Sequence, residues 1–179
     1  MRLRVIAGSL GGRFFEGPDS HATHPMSERV RGALFNSLGD FSGLTILDPF
    51  AGSGAFGFEA VSRGAKNVTL VERDRKAQVI IADNIAKLGV GGKISLVKAN
   101  CRAWAETYAG EPFDIILCDP PYDDIKVSTL ELLQKHLKHN GLMVLSHSGR
   151  ESAPTVNGVV VVDKRMYGDA ALAIYRLEA

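Results

Sequence analysis

The sequence predicts an α/β protein with a mostly parallel seven-stranded sheet, helices on both faces of it, and an antiparallel hairpin at its C-terminal end. Five short apolar segments alternate with segments of helical periodicity, the pattern of parallel strands joined by helical crossovers. The last two strands, at 159–162 and 171–176, are separated by about eight residues. Because that connection is too short for a parallel crossover, we expect these two strands to pair antiparallel.

The predicted elements follow one another without a linker, a repeat or a low-complexity segment. Residues 3–6 and 13–16 are predicted to form a short hairpin, and Ser27 is predicted to cap the helix that follows. The five apolar strands are predicted at 44–47, 68–71, 94–97, 113–118 and 142–145, and the helices between them at 55–63, 75–88, 101–108 and 127–139. We therefore expect an N-terminal extension over 1–40, made of the hairpin arm and a helix, on one compact α/β domain over 41–179.

The composition excludes several classes of protein. With 45% apolar residues, 23% charged residues and a net charge of +1, the 179-residue chain is typical of one globular domain. No apolar run reaches the roughly 18 residues of a membrane span, and the N-terminus lacks a signal-peptide pattern. Cys101 and Cys118 form no disulfide framework, and neither they nor the five histidines show metal-ligand spacing. We expect a cytoplasmic monomer without a metal ion.

A glycine-rich loop opens the first helix of the α/β domain. Residues 52–57 match G-x-G-x-x-G directly after a strand, and Glu72 ends the next strand twenty residues after Gly52. In dinucleotide sites the glycines let the backbone approach the ligand and the acid binds ribose hydroxyls. The same arrangement suits S-adenosylmethionine (SAM). A tight turn before a packed helix is the structural alternative.

The residues around this loop favour SAM over a dinucleotide. A carboxylate at Asp48 would attract the ammonium and sulfonium groups of SAM but repel a pyrophosphate. Asn100 follows the third strand, where it can hydrogen-bond the adenine edge, cap the next helix, or do both. The residues predicted to contact the cofactor are Asp48, Phe50, Ala51, Gly52, Ser53, Gly54, Glu72, Arg73, Asn100, Cys101 and Asp119.

The motif Asp119-Pro120-Pro121-Tyr122 closes the fourth strand, at the sheet edge where open α/β folds bind ligands. Two prolines make the loop rigid, so the Asp119 carboxylate and the Pro120 carbonyl can stand as paired acceptors for a planar NH2 group. Tyr122 offers an aromatic face to a base. We therefore expect these four residues to catalyse methylation of an exocyclic amine by positioning and electrostatics. A plain turn before a helix is the alternative.

Cys118 invites a different mechanism, because cytosine-C5 methylation needs a thiolate nucleophile. The residue lies inside the apolar run that precedes Asp119. We therefore expect the Cys118 side chain to point into the core rather than to attack a base.

The first fifteen residues carry three arginines and no acid. A short basic segment can be a nucleic-acid arm, although a solvated surface is the alternative. We expect Arg2, Arg4 and Arg13 to contact RNA, with Arg29 and Arg31 adding phosphate contacts or closing over the cofactor.

Taken together, these segments resemble the RsmD family of 16S rRNA guanine-N2 methyltransferases over essentially the whole chain. Asp119-Pro120-Pro121-Tyr122 is similar to the [D/N/S]-P-P-[Y/F/W] motif of amino-methyltransferases. The segments that carry the family resemblance are Arg4-Val5-Ile6-Ala7-Gly8 with Gly11-Gly12-Arg13, residues 24–36, residues 47–57 and Tyr167-Gly168-Asp169. The resemblance implies a Rossmann-like class I methyltransferase fold, SAM as cofactor, and a guanine in small-subunit rRNA, on an assembled or assembling 30S subunit, as substrate.

Residues 24–36 depart in places from the family pattern R-P-T-x-D-R-V-R-E-x-L-F-N. His24 stands in place of arginine, Met26 in place of threonine and Gly32 in place of glutamate, in the segment expected to contact RNA or cover the cofactor. Three other functions stay open: an adenine-N6 methyltransferase acting on DNA or RNA, a nicotinamide-dependent dehydrogenase, and a non-catalytic SAM-binding module of ribosome assembly. Only the G-x-G-x-x-G loop favours the dehydrogenase, and the intact D-P-P-Y motif argues against the non-catalytic module. DNA methyltransferases usually need a separate target-recognition domain, for which we expect 179 residues to leave no room.

Overall fold

The computed structural model describes residues 1–19 and 26–178, and it confirms the predicted fold class. A small hairpin pairs β1 with β2 antiparallel, and a seven-stranded sheet has the order β5-β4-β3-β6-β7-β9-β8. In the larger sheet β9 runs antiparallel to both β7 and β8, and the pairings among β5, β4, β3, β6 and β7 are parallel. In chain order the elements are β1 (Arg2–Arg4), β2 (Phe14–Glu16), α1 (Glu28–Leu38), β3 (Thr45–Asp48), α2 (Ala55–Ser62), β4 (Asn67–Glu72), α3 (Arg75–Leu88), β5 (Ile94–Lys98), α4 (Cys101–Thr107), β6 (Phe113–Cys118), α5 (Val127–Gln134), β7 (Leu137–Ser148), β8 (Val159–Tyr167) and β9 (Ala170–Leu177).

The strand order reverses between β3 and β6, which places the ligand crevice. Strands β4 and β5 lie on one side of β3, and the next strand in sequence, β6, pairs with β3 on its other side. In open α/β sheets, ligands bind outside the carboxyl ends of the strands at such a switch point. Asp48 ends β3 and Asp119 directly follows β6, so both acids stand at this crevice.

Two apolar clusters cover the two faces of the sheet. One contains buried residues of α1, α2 and α3, such as Phe35, Phe58 and Ile81. The other contains buried residues of α4 and α5, such as Ala105 and Leu133. Helices on both faces bury most of the central strands β3 and β6, which is why these two strands are largely apolar in the sequence.

The N-terminal arm, residues 1–17, is anchored to α2 by a buried carboxylate. Glu59 is 0% exposed and accepts hydrogen bonds from the backbone N–H groups of Ile6 (2.9 Å) and Ala7 (3.1 Å). The same carboxylate accepts from Arg63 Nε at 2.9 Å and lies 3.7 Å from Arg31 Nε. One helix therefore positions both the glycine-rich loop at its N-terminus and the arm on its flank.

Two predicted boundaries are wrong. The helix predicted over 127–139 ends at Gln134, because Leu137 already pairs with Phe113 as the first residue of β7. Strands β8 and β9 extend into the predicted connection and leave Gly168-Asp169 as a two-residue turn, in which Gly168 has a φ of 62°. A positive φ is what a tight hairpin turn requires and what glycine adopts without strain.

Candidate active site

A cleft of about 1710 Å³ opens at the carboxyl edge of the sheet. The glycine-rich loop, the ends of β4 and β6 and the beginning of α4 form its walls. Met1 and Leu3 of the arm border it on one side, and Tyr167 and Asp169 of the β8–β9 hairpin border it as well. The cleft contains all predicted catalytic and cofactor-contacting residues except Gly54, which lies buried behind it.

The glycine-rich loop is shaped by left-handed backbone at Gly52 (φ 55°) and Gly54 (φ 82°). Gly54 N–H donates to the Ala51 carbonyl at 2.8 Å, and Ala51 N–H donates to Val71 of β4 at 3.1 Å. A Cβ on Gly54 would lie 3.0 Å from the ring of Phe58. The conformation and the contact both favour glycine at 54, in a tight turn that opens α2 and lies next to the cleft.

Glu72 ties this loop to the end of β4. One carboxylate oxygen accepts from Gly52 N–H at 2.7 Å, and the other accepts from Asp74 N–H at 2.9 Å. The side chain is half-buried and lines the cleft. The twenty-residue spacing seen in the sequence thus corresponds to a direct contact that presents a carboxylate beside the glycines.

Among the acids that line the cleft, Asp48, Glu72 and Asp119 stand at the ends of β3, β4 and β6. Asp48 is 1% exposed and accepts from Phe50 N–H at 3.2 Å. Burial, with the neighbouring carboxylates of Asp119 and Glu72, raises the pKa of Asp48 well above its ordinary range. Over 1–19 and 26–178, none of the three forms an ion pair. These three carboxylates therefore suit a ligand that carries positive charge.

The loop after β6 places Asp119 at the floor of the cleft and Tyr122 at its surface. Burial raises the pKa of Asp119 to about 6, although a hydrogen bond with Ser146 acts in the opposite direction. Pro120 is buried, whereas the Tyr122 ring is 40% exposed. Tyr122 Oη lies 2.5 Å from Ser146 Oγ. The arrangement holds an acceptor inside and leaves an aromatic face accessible.

The two cysteines and Asn100 have structural explanations. Asn100 accepts from Ala103 N–H at 3.2 Å and so caps α4, as one of its two predicted roles requires. Cys118 is 1% exposed, and burial raises its pKa well above the ordinary value. Burial likewise raises the pKa of Cys101 to about 12. Both thiols stay protonated at neutral pH, so neither is an activated nucleophile.

The predicted RNA-contacting arginines divide into two groups. Arg2, Arg4, Arg13 and Arg29 are exposed, although Arg4 pairs with Glu28 at 2.8 Å. Arg31 is 1% exposed, and it donates to the Arg4 carbonyl beside Glu59. A guanidinium in the interior does not reach a phosphate, so the expectation for Arg31 is corrected: it anchors the arm.

Sequence reasoning missed Ser146 and Glu59. Ser146 follows a predicted apolar strand at the same sheet edge as Asp119, and this position was an available signal. Glu59 is an isolated acid in the apolar helix sequence AFGFEAVS, which was the other signal. The departure at His24 lies outside the described residues.

Two kinds of feature are absent from the part of the chain that the structure describes. Residues 1–19 and 26–178 contain no group of three or more His, Cys, Asp or Glu side chains arranged to hold a metal ion. Within those same ranges, no helix is long and apolar enough to cross a membrane.

The sequence matches the family described as "Conserved hypothetical protein 95" over residues 3–176. Ribosomal RNA small subunit methyltransferase D of Escherichia coli K12 is 33% identical over 99% of this chain and 91% of its own length. YlbH of Bacillus subtilis, named as a candidate rRNA methyltransferase, is 33% identical over 97% of this chain and 98% of its own. A solved structure of yhhF from Escherichia coli, described as a candidate methyltransferase, has a TM-score of 0.88 at 32% identity and covers 100% of this chain and 99% of its own.

Proposed function

Because the chain belongs to the Conserved hypothetical protein 95 family, which is the RsmD family predicted from the sequence, we propose that it methylates the exocyclic N2 amine of a guanine in small-subunit rRNA, with SAM as methyl donor. The observation that carries the proposal is the rigid Asp119-Pro120-Pro121-Tyr122 loop, which lies in a cleft where Asp48, Glu72 and Asp119 itself form no ion pair with the described residues.

The polar side chains of the cleft match the chemical groups of SAM. Asp48 lies at the end of β3, where an acid favours a ligand's ammonium group, and Glu72 can accept from ribose hydroxyls while it holds Gly52. The exposed side chain of Asn100 can serve the adenine edge while capping α4. Bound SAM supplies an electrophilic methyl group on a sulfonium. The protein supplies the shape and the negative charge that bind a cation.

Catalysis rests on positioning the amine. The lone pair of an exocyclic amine is delocalised into the base ring, so the nitrogen is a weak nucleophile. Asp119 and the Pro120 carbonyl accept hydrogen bonds from the two amine N–H groups, which favours the pyramidal form and directs the lone pair toward the methyl group. The amine loses one proton when it is methylated, and the Asp119 carboxylate is the base placed to take it up. Tyr122 stacks on the base with its exposed ring. No covalent enzyme intermediate is needed, in keeping with the buried, protonated thiol of Cys118.

The partner is small-subunit rRNA, on an assembled or assembling 30S subunit. The exposed arginines Arg2 and Arg13 lie on the arm, and Met1 and Leu3 of that arm border the cleft. A base delivered to Asp119 must be unpaired or flipped out, because guanine N2 is engaged in Watson–Crick pairing. The arm would bind the neighbouring backbone through phosphate contacts.

The test is identification of the methylated nucleoside. The protein is incubated with labelled SAM and undermethylated small subunits, naked rRNA or duplex DNA, and the labelled nucleoside is identified by mass spectrometry. We expect N2-methylguanine in rRNA. Label in N6-methyladenine, or in DNA alone, would assign the enzyme to adenine methylation instead. SAM binding without label in any substrate would indicate a non-catalytic assembly module.

A matched pair of variants separates the mechanism from general damage. Asp119→Ala should reduce turnover by roughly 100-fold or more while SAM still binds, because it removes an acceptor aimed at the reacting group. Asp124→Ala removes a nearby exposed acid that pairs with Lys126, and it should leave turnover near that of the wild type. Equal turnover in the two variants would contradict the amine-acceptor mechanism.

A further inference from the structure

A serine ends the apolar run of β7 directly beside the catalytic loop. Ser146 follows Leu142-Met143-Val144-Leu145 and is 1% exposed. In the parallel pairing of β6 with β7, Cys118 lies opposite Leu145. The next residues, Asp119 and Ser146, therefore emerge side by side at the carboxyl edge. On its other side Ser146 pairs with Leu172 of β9, which offers no side-chain partner.

The Ser146 hydroxyl contacts both polar side chains of the motif. Its oxygen lies 2.5 Å from Tyr122 Oη, across 24 residues of sequence. It also stands beside Asp119 in the β6–β7 register, where its interaction with the carboxyl lowers the pKa that burial raises. A buried hydroxyl is stable only with partners, and these two partners are those that the proposed mechanism uses.

We propose that Ser146 is a positioning residue that joins Tyr122 and Asp119 in one hydrogen-bonded chain and so holds the aromatic face and the amine acceptor in register. The inference rests on the proposed function, because it deepens the roles given there to these two residues. Ser146 itself touches neither the base nor the methyl donor.

The number of hydroxyl protons determines which group donates each hydrogen bond. Ionised Asp119 can only accept, while Ser146 and Tyr122 each carry one hydroxyl proton. The arrangement that satisfies all three groups has Tyr122 donating to Ser146 and Ser146 donating to Asp119. One carboxylate oxygen is then held by Ser146, and the other is left for the amine hydrogen. A protonated Asp119 would carry a hydrogen on one of these oxygens and would be a weaker acceptor for the amine.

The hydrogen bond between Ser146 and Tyr122 matters because few other contacts hold the tip of the catalytic loop. Pro121 and residues 122–124 are exposed, and Asp124 N–H donates to the Pro121 carbonyl at 3.0 Å in a local turn. The double proline restricts the backbone but leaves the rotation of the Tyr122 ring free. The hydrogen bond to Ser146 restricts that rotation, so the ring is oriented before a base arrives.

The experiment compares Ser146→Ala with Ser148→Ala, the same change two residues along β7. Ser148 Oγ accepts from Arg150 N–H at 3.2 Å and does not line the cleft. We expect Ser146→Ala to lower kcat about tenfold, as loss of a hydrogen bond to a charged group implies, with SAM affinity unchanged. The acid limb of its pH–rate profile should move to higher pH, because Asp119 loses the bond that lowers its pKa. Ser148→Ala should change neither.

A readout without turnover separates this inference from the proposed function. NMR titration of the carbon-13-labelled Asp119 carboxyl should give a midpoint near pH 6 in the wild type and a higher one in Ser146→Ala. Tyr122→Phe should shift the midpoint less, and the double variant should lose little more kcat than Ser146→Ala. An unchanged midpoint in folded Ser146→Ala would overturn the positioning role. No rRNA methylation by the wild type, with the midpoint shift present, would overturn the proposed function alone.

Discussion

Two carboxylates of the same α/β core are equally buried but differ in their surroundings. Glu59 on α2 is 0% exposed, and Asp48 at the end of β3 is 1% exposed. Glu59 faces Arg31 and Arg63 and also accepts from two backbone N–H groups of the arm. Asp48 accepts from one backbone N–H group, and its charged neighbours are the carboxylates of Asp119 and Glu72.

The difference separates a structural acid from a binding acid. Removing an ionised carboxylate from water costs several kcal/mol, which a paired guanidinium can offset. The folded chain provides that compensation for Glu59. For Asp48, the described residues provide none, so a cationic ligand is the compensation that the site lacks. We therefore expect the same type of side chain to stabilise the fold in one place and to select a cationic ligand in the other.

The largest effect that the comparison predicts is on stability. Glu59→Gln should lower the free energy of unfolding by about 3–5 kcal/mol, because it leaves two guanidinium groups near one another without their carboxylate. Urea denaturation measures the change. Glu106→Gln is the control, because Glu106 pairs with Arg102 in a half-exposed i,i+4 contact, and its loss should cost less than about 1 kcal/mol. Equal losses would show that the Glu59 pairs contribute nothing special.

The same carboxylate-to-amide change at Asp48 should leave the free energy of unfolding unchanged or raise it. Asp48→Asn keeps the acceptor for Phe50 N–H and removes a charge that burial disfavours, so stability should stay the same or rise. SAM affinity should fall about tenfold or more, the value of one charge-assisted hydrogen bond. Urea denaturation and calorimetry give the two quantities. A strongly destabilised Asp48→Asn protein would contradict the distinction between the two acids.

The fold was predictable because its signals are local and periodic. The apolar strands, the glycine-rich loop and the Asp119-Pro120-Pro121-Tyr122 motif are each contained in fewer than about ten residues, and the parallel register brings their ends together. The wrong helix end illustrates the limit. Polar residues at 135, 136, 138 and 139 continue the amphipathic pattern of α5, and pairing of Leu137 with Phe113, 24 residues earlier, overrides it.

Partner choice between distant segments was not predictable. Arg29 and Arg31 look alike in sequence, yet one is exposed and the other is buried, because the helix phase turns Arg31 toward Glu59 and the arm. The contact of Ser146 with Tyr122 spans 24 residues and depends on the β6–β7 register. Composition and residue spacing do not predict which distant side chains come into contact.

The cleft carboxylates should also make the free protein pH-sensitive. The folded pKa of Asp119, about 6, lies above the ordinary value of 3.8, so the folded state holds a proton that the unfolded state has lost. The unfolding free energy should therefore fall as pH rises from about 4 to 6, by at most about 1.4 kcal/mol per pH unit for this one proton. Affinity for cationic SAM should rise over the same window.

Comparison with Asp119→Asn isolates that contribution from all other titrating groups. Urea denaturation at several pH values between 4 and 6.5 should give a steeper fall for the wild type than for the variant. Parallel slopes would mean that the Asp119 pKa is ordinary, and the contrast between the cleft and Glu59 would then rest on Asp48 alone.

The smallest predicted effect concerns the arm that Glu59 anchors. Deleting residues 1–17 would be ambiguous, because it also removes the buried Val5 and Phe15 and the partners of Glu59. Single exposed arginines are sharper tests. Arg2 lies with its guanidinium 3.7 Å from the Phe14 ring centroid, and Arg13 donates to the Lys87 carbonyl at 3.3 Å, so both are held at the surface of a fixed arm.

Arg2→Gln and Arg13→Gln should each reduce the slope of log affinity for rRNA against log salt by about one unit, the value of one lost phosphate contact, with stability unchanged. Arg176→Gln is the control, because Arg176 pairs with Leu142 near the opposite edge of the sheet and should leave the slope as it is. Filter binding over a range of salt concentrations measures the slopes. If both arm variants keep the wild-type slope, the arm is purely structural. Its arginines would then stabilise the fold as Arg31 does, so the distinction drawn between Glu59 and Asp48 would apply to arginines as well. The rRNA would in that case bind elsewhere on the rim of the cleft.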